Sequence, residues 1–225
     1  MTTRNYIPNQ AIDSNLQIDL QAIILKKYDE QNHKIVLFNR EIGKFQAYVK
    51  IKKNSLTHKT IPAGTLINYR QYSYIKNHYT IEILSIFDMP FDIAKEHILF
   101  LHHILEICYY FLPHESYDNH AIFDLLLFLY YRFGLKTKKY TQKIFLFRLL
   151  AHLGMYPESA NYHTESFYSW MSCSLQELHE QKITQEIEHL LDIWLINCIN
   201  DHPMATSFKT IHFLNEAKKH ENYKL

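Results

Sequence analysis

Glycine is nearly missing from this chain, with four in 225 residues. A Walker-type loop or a dinucleotide fingerprint places several glycines within a few positions, and no such cluster exists here. A serine nucleophile elbow and a paired acidic catalytic motif are also absent. Cysteine is equally sparse. Cys108, Cys173 and Cys198 lie far apart and are odd in number, which argues against a disulfide framework or a thiolate zinc cluster and suits a reducing, cytoplasmic compartment. Residues 1–20 contain no apolar core of the kind a signal peptide needs. The most apolar run, Leu125 to Tyr131, is far too short to span a bilayer and is bracketed by Asp124 and Arg132.

Histidine is plentiful, but its spacing is uninformative. His97, His102, His103 and Glu106 share one predicted helix without forming a His-Glu-x-x-His pattern, and His114, Glu115 and His120 are no better spaced. Three or four ligands must converge to hold an ion. No metal, cofactor or catalytic role is therefore expected, and a binding protein is favoured over an enzyme.

Apolar residues make up 47% of the chain, enough to bury a substantial core without a covalent staple. The net charge of +1 hides an asymmetry. Residues 1–80 carry 12 Lys and Arg against 5 Asp and Glu, whereas residues 81–225 carry 12 against 18. One half is thus suited to a polyanion partner.

The period of the apolar pattern divides the chain into a lead-in segment (1–19), a strand-built domain (20–88) and a helical domain (89–225), an α+β architecture. Strands are predicted over Gln21–Lys27, His33–Asn39, a segment through Phe45 to Lys52, Thr65–Tyr74 and Tyr79–Phe87. In the third of these, Phe45, Ala47, Val49 and Ile51 face one way and Gln46, Tyr48, Lys50 and Lys52 the other. Phe45 therefore belongs to the core. Five short strands suit a small closed barrel, with a sandwich half or an SH3-like barrel also compatible with the spacing. Beyond Pro90 the period becomes helical. Helices are predicted over Asp92–Phe111, Asn119–Phe133, Thr141–Leu153 and Ser174–Ile199, with a short one over Ser207–Lys219. The third has almost no polar face and should run through the centre of the helical body. Ser174 and Glu177 are spaced as a capping box for the fourth.

The basic residues of the strand domain are Lys26, Lys27, Lys34, Arg40, Lys44, Lys50, Lys52, Lys53, Lys59, Arg70 and Lys76. Spread over successive strands and loops, they would attract a phosphate backbone. Tyr48, Tyr69, Tyr72 and Tyr74 would offer ring faces to unstacked bases. A second basic run, Lys136, Lys138, Lys139, Lys143 and Arg148, would extend that path or receive an acidic peptide. A solvated basic surface is the plain alternative for both groups.

Three segments carry a family resemblance. Gln21 to Glu30 with Lys34 to Lys44, including Phe38, Arg40, Glu41, Gly43 and Lys44, resembles the N-terminal OB-fold of the bacterial recombination mediator RecO. Lys143 to Pro157, with Arg148 and Gly154, is similar to that family's helix and turn, and Phe208 to Leu214 to its C-terminal helix. The resemblance implies an OB-fold barrel followed by an all-helical domain. It also implies binding to single- and double-stranded DNA without sequence preference, annealing of complementary strands, and assistance to recombinase loading. The implied partners are a RecR-type protein and the acidic tail of single-strand-binding protein. On this reading Arg40, Lys44, Lys50, Lys52 and Lys53 hold DNA, and Lys136 to Arg148 form a cationic rim for the acidic tail. The chain departs from the family in having Ser159 to Thr164 where many members carry a four-cysteine zinc site, so zinc is not expected. The competing reading is a protein-interaction adaptor whose basic barrel binds an acidic protein.

Overall fold

Five strands, β1 (Leu20–Lys27), β2 (Lys34–Asn39), β3 (Gly43–Val49), β4 (Leu66–Ile75) and β5 (His78–Asp88), close into a barrel in the order β1-β2-β3-β5-β4. β4 pairs back onto β1 through Leu20↔Tyr69 to Ile23↔Leu66. The β3–β5 ladder is parallel and the others are antiparallel. This closed topology is OB-fold-like and decides among the alternatives that strand spacing leaves open. The computed structural model describes residues 20–28, 33–50, 61–75, 78–116, 119–131, 139–156, 169–174, 177 and 183–210. The lead-in 1–19, Lys52, Lys53, Lys59, Lys76, Lys136, Lys138, the side chain of Lys139, the stretch 159–164 and the predicted C-terminal helix beyond Thr210 lie outside the described residues.

The first two strands are apolar on both faces because each face enters a different core. Ala22, Ile24, Ile35 and Leu37 point into the barrel with Phe45, Ala47, Val49, Ile67, Tyr69 and Ile81. Ile23, Leu25, Val36, Phe38 and Leu66 point outward and join the core of the helical body. Phe38 lies with its ring centroid 5.7 Å from that of Phe123. A buried phenylalanine of this kind contributes about 3–5 kcal/mol. Tyr69 is wholly buried in the barrel, which pushes its phenol well above the usual range.

The helices are α1 (Phe91–Phe111), α2 (His120–Tyr131), α3 (Lys139–His152) and α4 (Gln185–Asn200). α1 carries a kink at His97 (φ −140°, ψ 44°). In α3 every residue from Ile144 to Ala151 is buried, so this helix is central, as its sequence implies. Phe145 packs against Phe100 at 5.9 Å, and Phe147 against Trp170 at 5.7 Å and Trp194 at 5.2 Å between centroids. Gly154 (φ +88°) ends α3, with Met155 N donating to Leu150 O and Gly154 N to Ala151 O at 2.9 Å each. That pairing is a Schellman motif, which favours glycine at the left-handed position.

The long helix predicted from Ser174 is not continuous. Ser174 N donates to Glu177 Oε2 at 2.7 Å and Glu177 N to Ser174 Oγ at 3.3 Å, so the capping box does form. The described helix nevertheless begins at Gln185, where Thr184 is extended (φ −74°, ψ 158°) and its side chain accepts from Ile187 N. Thr184 supplies a second N-cap, and Glu186 and Glu188 favour a helix start in the turn after it.

Candidate nucleic-acid interface

The β2–β3 hairpin is shaped by its own side chains. Asn39 Oδ1 accepts from Glu41 N at 2.8 Å and Ile42 N at 2.9 Å, closing the turn, while Asn39 Nδ2 donates to Gln21 O on β1 at 2.7 Å. Gly43 completes it at φ +80°.

The hairpin faces the helical body. Arg40 donates to Asp124 on α2, and Glu41 lies 3.7 Å from His120. Lys44 is only 5% exposed. Its Nζ donates to Tyr109 O on α1, and its backbone carbonyl accepts from Glu115 N at 2.9 Å. Burial lowers the Lys44 ammonium to about 8, and the neighbouring Cys108 thiol's own burial pushes it up to about 12 against the opposing effect of the Lys44 charge. Arg40 and Lys44, which the sequence places among the DNA-holding cations, thus both contact the helical body, Lys44 buried and Arg40 half-exposed. The sequence shows their charge but not these contacts.

The solvent-facing side of the barrel lies on β3, β5 and β4. Tyr48 on β3 is 39% exposed and Tyr72 on β4 is 43% exposed. The exposed Lys50 places Nζ 4.6 Å from the centroid of the Tyr72 ring, and its backbone N–H donates to Ile81 O at 2.7 Å, tying it to β5. Tyr72 sits at a bulge where the register shifts between Gln71 and Ser73, which re-aims its ring. Its hydroxyl donates to Glu82, itself opposite Arg70 in the β4–β5 register. The Tyr72 ring is thus fixed at its hydroxyl and carries the Lys50 ammonium over its face. Of the four tyrosines singled out from sequence, two are therefore on this face. Tyr69 is in the core, and the side chain of Tyr74 is outside the described residues.

Lys26, Lys27 and Lys34 lie at the other end of β1 and β2, half-buried. Lys34 stands opposite Tyr48 in the β2–β3 register, which links the two regions. Sequence reasoning missed Tyr28 and Tyr109, whose rings lie under Lys26 and Lys34. One is on β1's exit and the other on α1, 81 positions later, so only the fold joins them.

The second basic run is dispersed. Lys143 bonds Glu188 at 2.5 Å and Asp192 at 2.9 Å on α4. Arg148 is 9% exposed and donates to Cys173 O at 2.9 Å. Burial lowers its pKa. Neither side chain stands on an open rim in this conformation, so the described residues supply no continuous cationic edge from this run. His103 is buried against Thr210, with Nδ1 2.7 Å from Thr210 Oγ1, and Glu106 accepts from that hydroxyl and from the backbone N–H groups of Lys209 and Thr210. These residues anchor the C-terminal segment. Among the described residues no group of three or more His, Cys, Asp and Glu is arranged to hold a metal ion, and no helix is long and apolar enough to cross a membrane.

Comparison with models of protein families and with curated proteins finds no match to this chain. What the fold establishes is an OB-fold-like closed barrel followed by a helical body.

Proposed function

We propose that this protein binds single-stranded DNA on the outer face of β3, β5 and β4 and acts as a recombination mediator of the RecO type, annealing strands and assisting recombinase loading. The observation that carries the reading is the pair of exposed rings, Tyr48 and Tyr72, with the Lys50 ammonium over the Tyr72 ring. Aromatic faces stack any base, so such a surface binds without sequence preference. The positively charged N-terminal half draws the strand in. No bond is made or broken. Two strands held by one basic surface meet at a raised effective concentration, which speeds pairing. The proposal draws further support from the sequence resemblance of the Phe38–Lys44 hairpin and the Arg148–Gly154 segment. A RecR-type partner and the tail of single-strand-binding protein follow from the resemblance alone.

The test is a titration of labelled single-stranded DNA at several salt concentrations, paired with an annealing assay. The reading expects affinity to fall with salt by about 0.7 log units per log unit for each phosphate engaged. Absence of binding at low salt would remove it.

A second reading, the adaptor, is supported by Phe87, Phe91, Ile98 and Leu99, large apolar side chains exposed at the junction of β5 and α1. Binding to an acidic protein without measurable binding to DNA would favour it.

A further inference from the structure

Two tyrosines and three lysines converge at the seam between the barrel and α1. The hydroxyls of Tyr28 and Tyr109 lie 3.1 Å apart, so one donates to the other. The second hydroxyl proton is left to donate outward. Lys26 Nζ lies 4.3 Å from the centroid of Tyr109 and 5.5 Å from that of Tyr28. Lys34 Nζ lies 5.2 Å from Tyr28, and Lys44 Nζ 5.6 Å from Tyr109. The ring faces attract all three ammonium groups. A ring has no net charge, however, and does not neutralise an ammonium. Among the described residues no carboxylate pairs with Lys26, Lys34 or Lys44. Tyr28, Tyr109, Lys26 and Lys34 are all only half-buried, so the seam is open to solvent.

We infer that this seam binds a phosphate group, namely a phosphodiester of the strand that lies on the Tyr48 and Tyr72 face. This rests on the proposed function and extends it. Lys34 is opposite Tyr48 in the β2–β3 register and within reach of the Tyr28 ring, so a strand leaving Tyr48 across β2 meets Lys34 and then Lys26. Several acceptor oxygens on one anion match ammonium donors and a phenol donor that approach from different sides. The strand would then span the barrel and α1 together.

The test compares wild type with a Lys26→Ala/Lys34→Ala variant, leaving the buried Lys44 intact, on single-stranded DNA of about 5 and about 20 nucleotides, within and beyond the span of one barrel face. For the longer strand the variant should bind about tenfold more weakly at low salt, with a log–log salt slope smaller by about 1.4 for two lost phosphate contacts. The shorter strand should be unaffected. A folded variant with unchanged affinity and slope, set beside a Tyr48→Ala/Tyr72→Ala variant that loses binding, overturns the seam and leaves the proposed function standing. If wild type binds neither strand, the proposed function falls, and calorimetry with tripolyphosphate judges the seam. Heat that disappears in Lys26→Ala/Lys34→Ala keeps the phosphate site with a small-molecule source. Absence of heat, or binding only of a poly-glutamate peptide, overturns it.

Discussion

The guanidinium of Arg40, at the tip of the β2–β3 hairpin, hydrogen-bonds the carboxylate of Asp124 on α2, so a residue whose charge suggests a nucleic-acid contact links the barrel to the helical body. Both side chains are nearly half exposed, and water and salt weaken such a pair. Arg40→Ala should lower stability by less than about 1 kcal/mol, and a double-mutant cycle with Asp124→Ala should give a coupling of about 0.5 kcal/mol that fades as salt rises. Denaturant unfolding of the four proteins measures this.

Gly43 holds the same hairpin against the body by its lack of a side chain. A Cβ there would lie 2.6 Å from Ser116 O and 2.8 Å from Asn119 Nδ2, at φ +80°. Gly154 has φ +88° with nothing within 4 Å of its Cβ position. Gly154→Ala should therefore cost about 1 kcal/mol from backbone strain alone. Gly43→Ala should cost at least about 2 kcal/mol, since clash adds to strain. Equal losses in chemical denaturation would contradict the close approach.

Lys44 makes stability depend on alkaline pH. Burial lowers its folded-state pKa from 10.5 to about 8, so between these values the unfolded chain binds more protons than the folded one. Stability contributed by this group must then rise as pH increases from about 8. From about pH 9 the buried Cys108 and Cys198 thiols, each raised from 9.0 to about 12, act in the opposite direction, and from about pH 10 so does Tyr28, raised to about 12 by burial first and by its bond to Tyr109 second, so the Lys44 contribution is read as a difference from a variant lacking it. Thermal unfolding from pH 8 to 10 should show a rise in wild type relative to a Lys44→Met variant.

His103 governs the acid side. Burial lowers its pKa from 6.5 to about 4. The neutral ring favours the folded state, so its contribution is complete above pH 6.5 and is lost as pH falls toward 4. A His103→Asn variant, which keeps a polar group near Thr210, should show a shallower decline over that window when urea midpoints are compared.

The barrel was legible because its signals are local. The alternation in Phe45 to Lys50 identifies the core face of β3, and the apolar run of α3, interrupted only by Arg148, identifies the central helix. The candidate site was legible only in part, because exposure depends on what packs across each face. In β4 the alternation sets Tyr69, wholly buried, and Tyr72 on opposite faces, but the bulge between Gln71 and Ser73, which places both Tyr72 and Ser73 after the inward Gln71, is not local to either tyrosine. Arg40 and Lys44 look like Lys50 in sequence, but α2 pairs the half-exposed Arg40 and α1 buries Lys44, while Lys50 stays exposed. The interruption before Gln185 was hidden for a different reason: two competing caps, Ser174 and Thr184, lie ten positions apart.

The central claim is that Tyr48 and Tyr72 form a base-stacking face. Fluorescence anisotropy with labelled single-stranded DNA at low salt, using wild type and a Tyr48→Ala/Tyr72→Ala variant shown by circular dichroism to be folded, tests it most directly. Each ring should contribute about 1–3 kcal/mol, so the variant should bind at least roughly tenfold more weakly while keeping much of its salt dependence. An unchanged affinity in the folded variant would contradict the account.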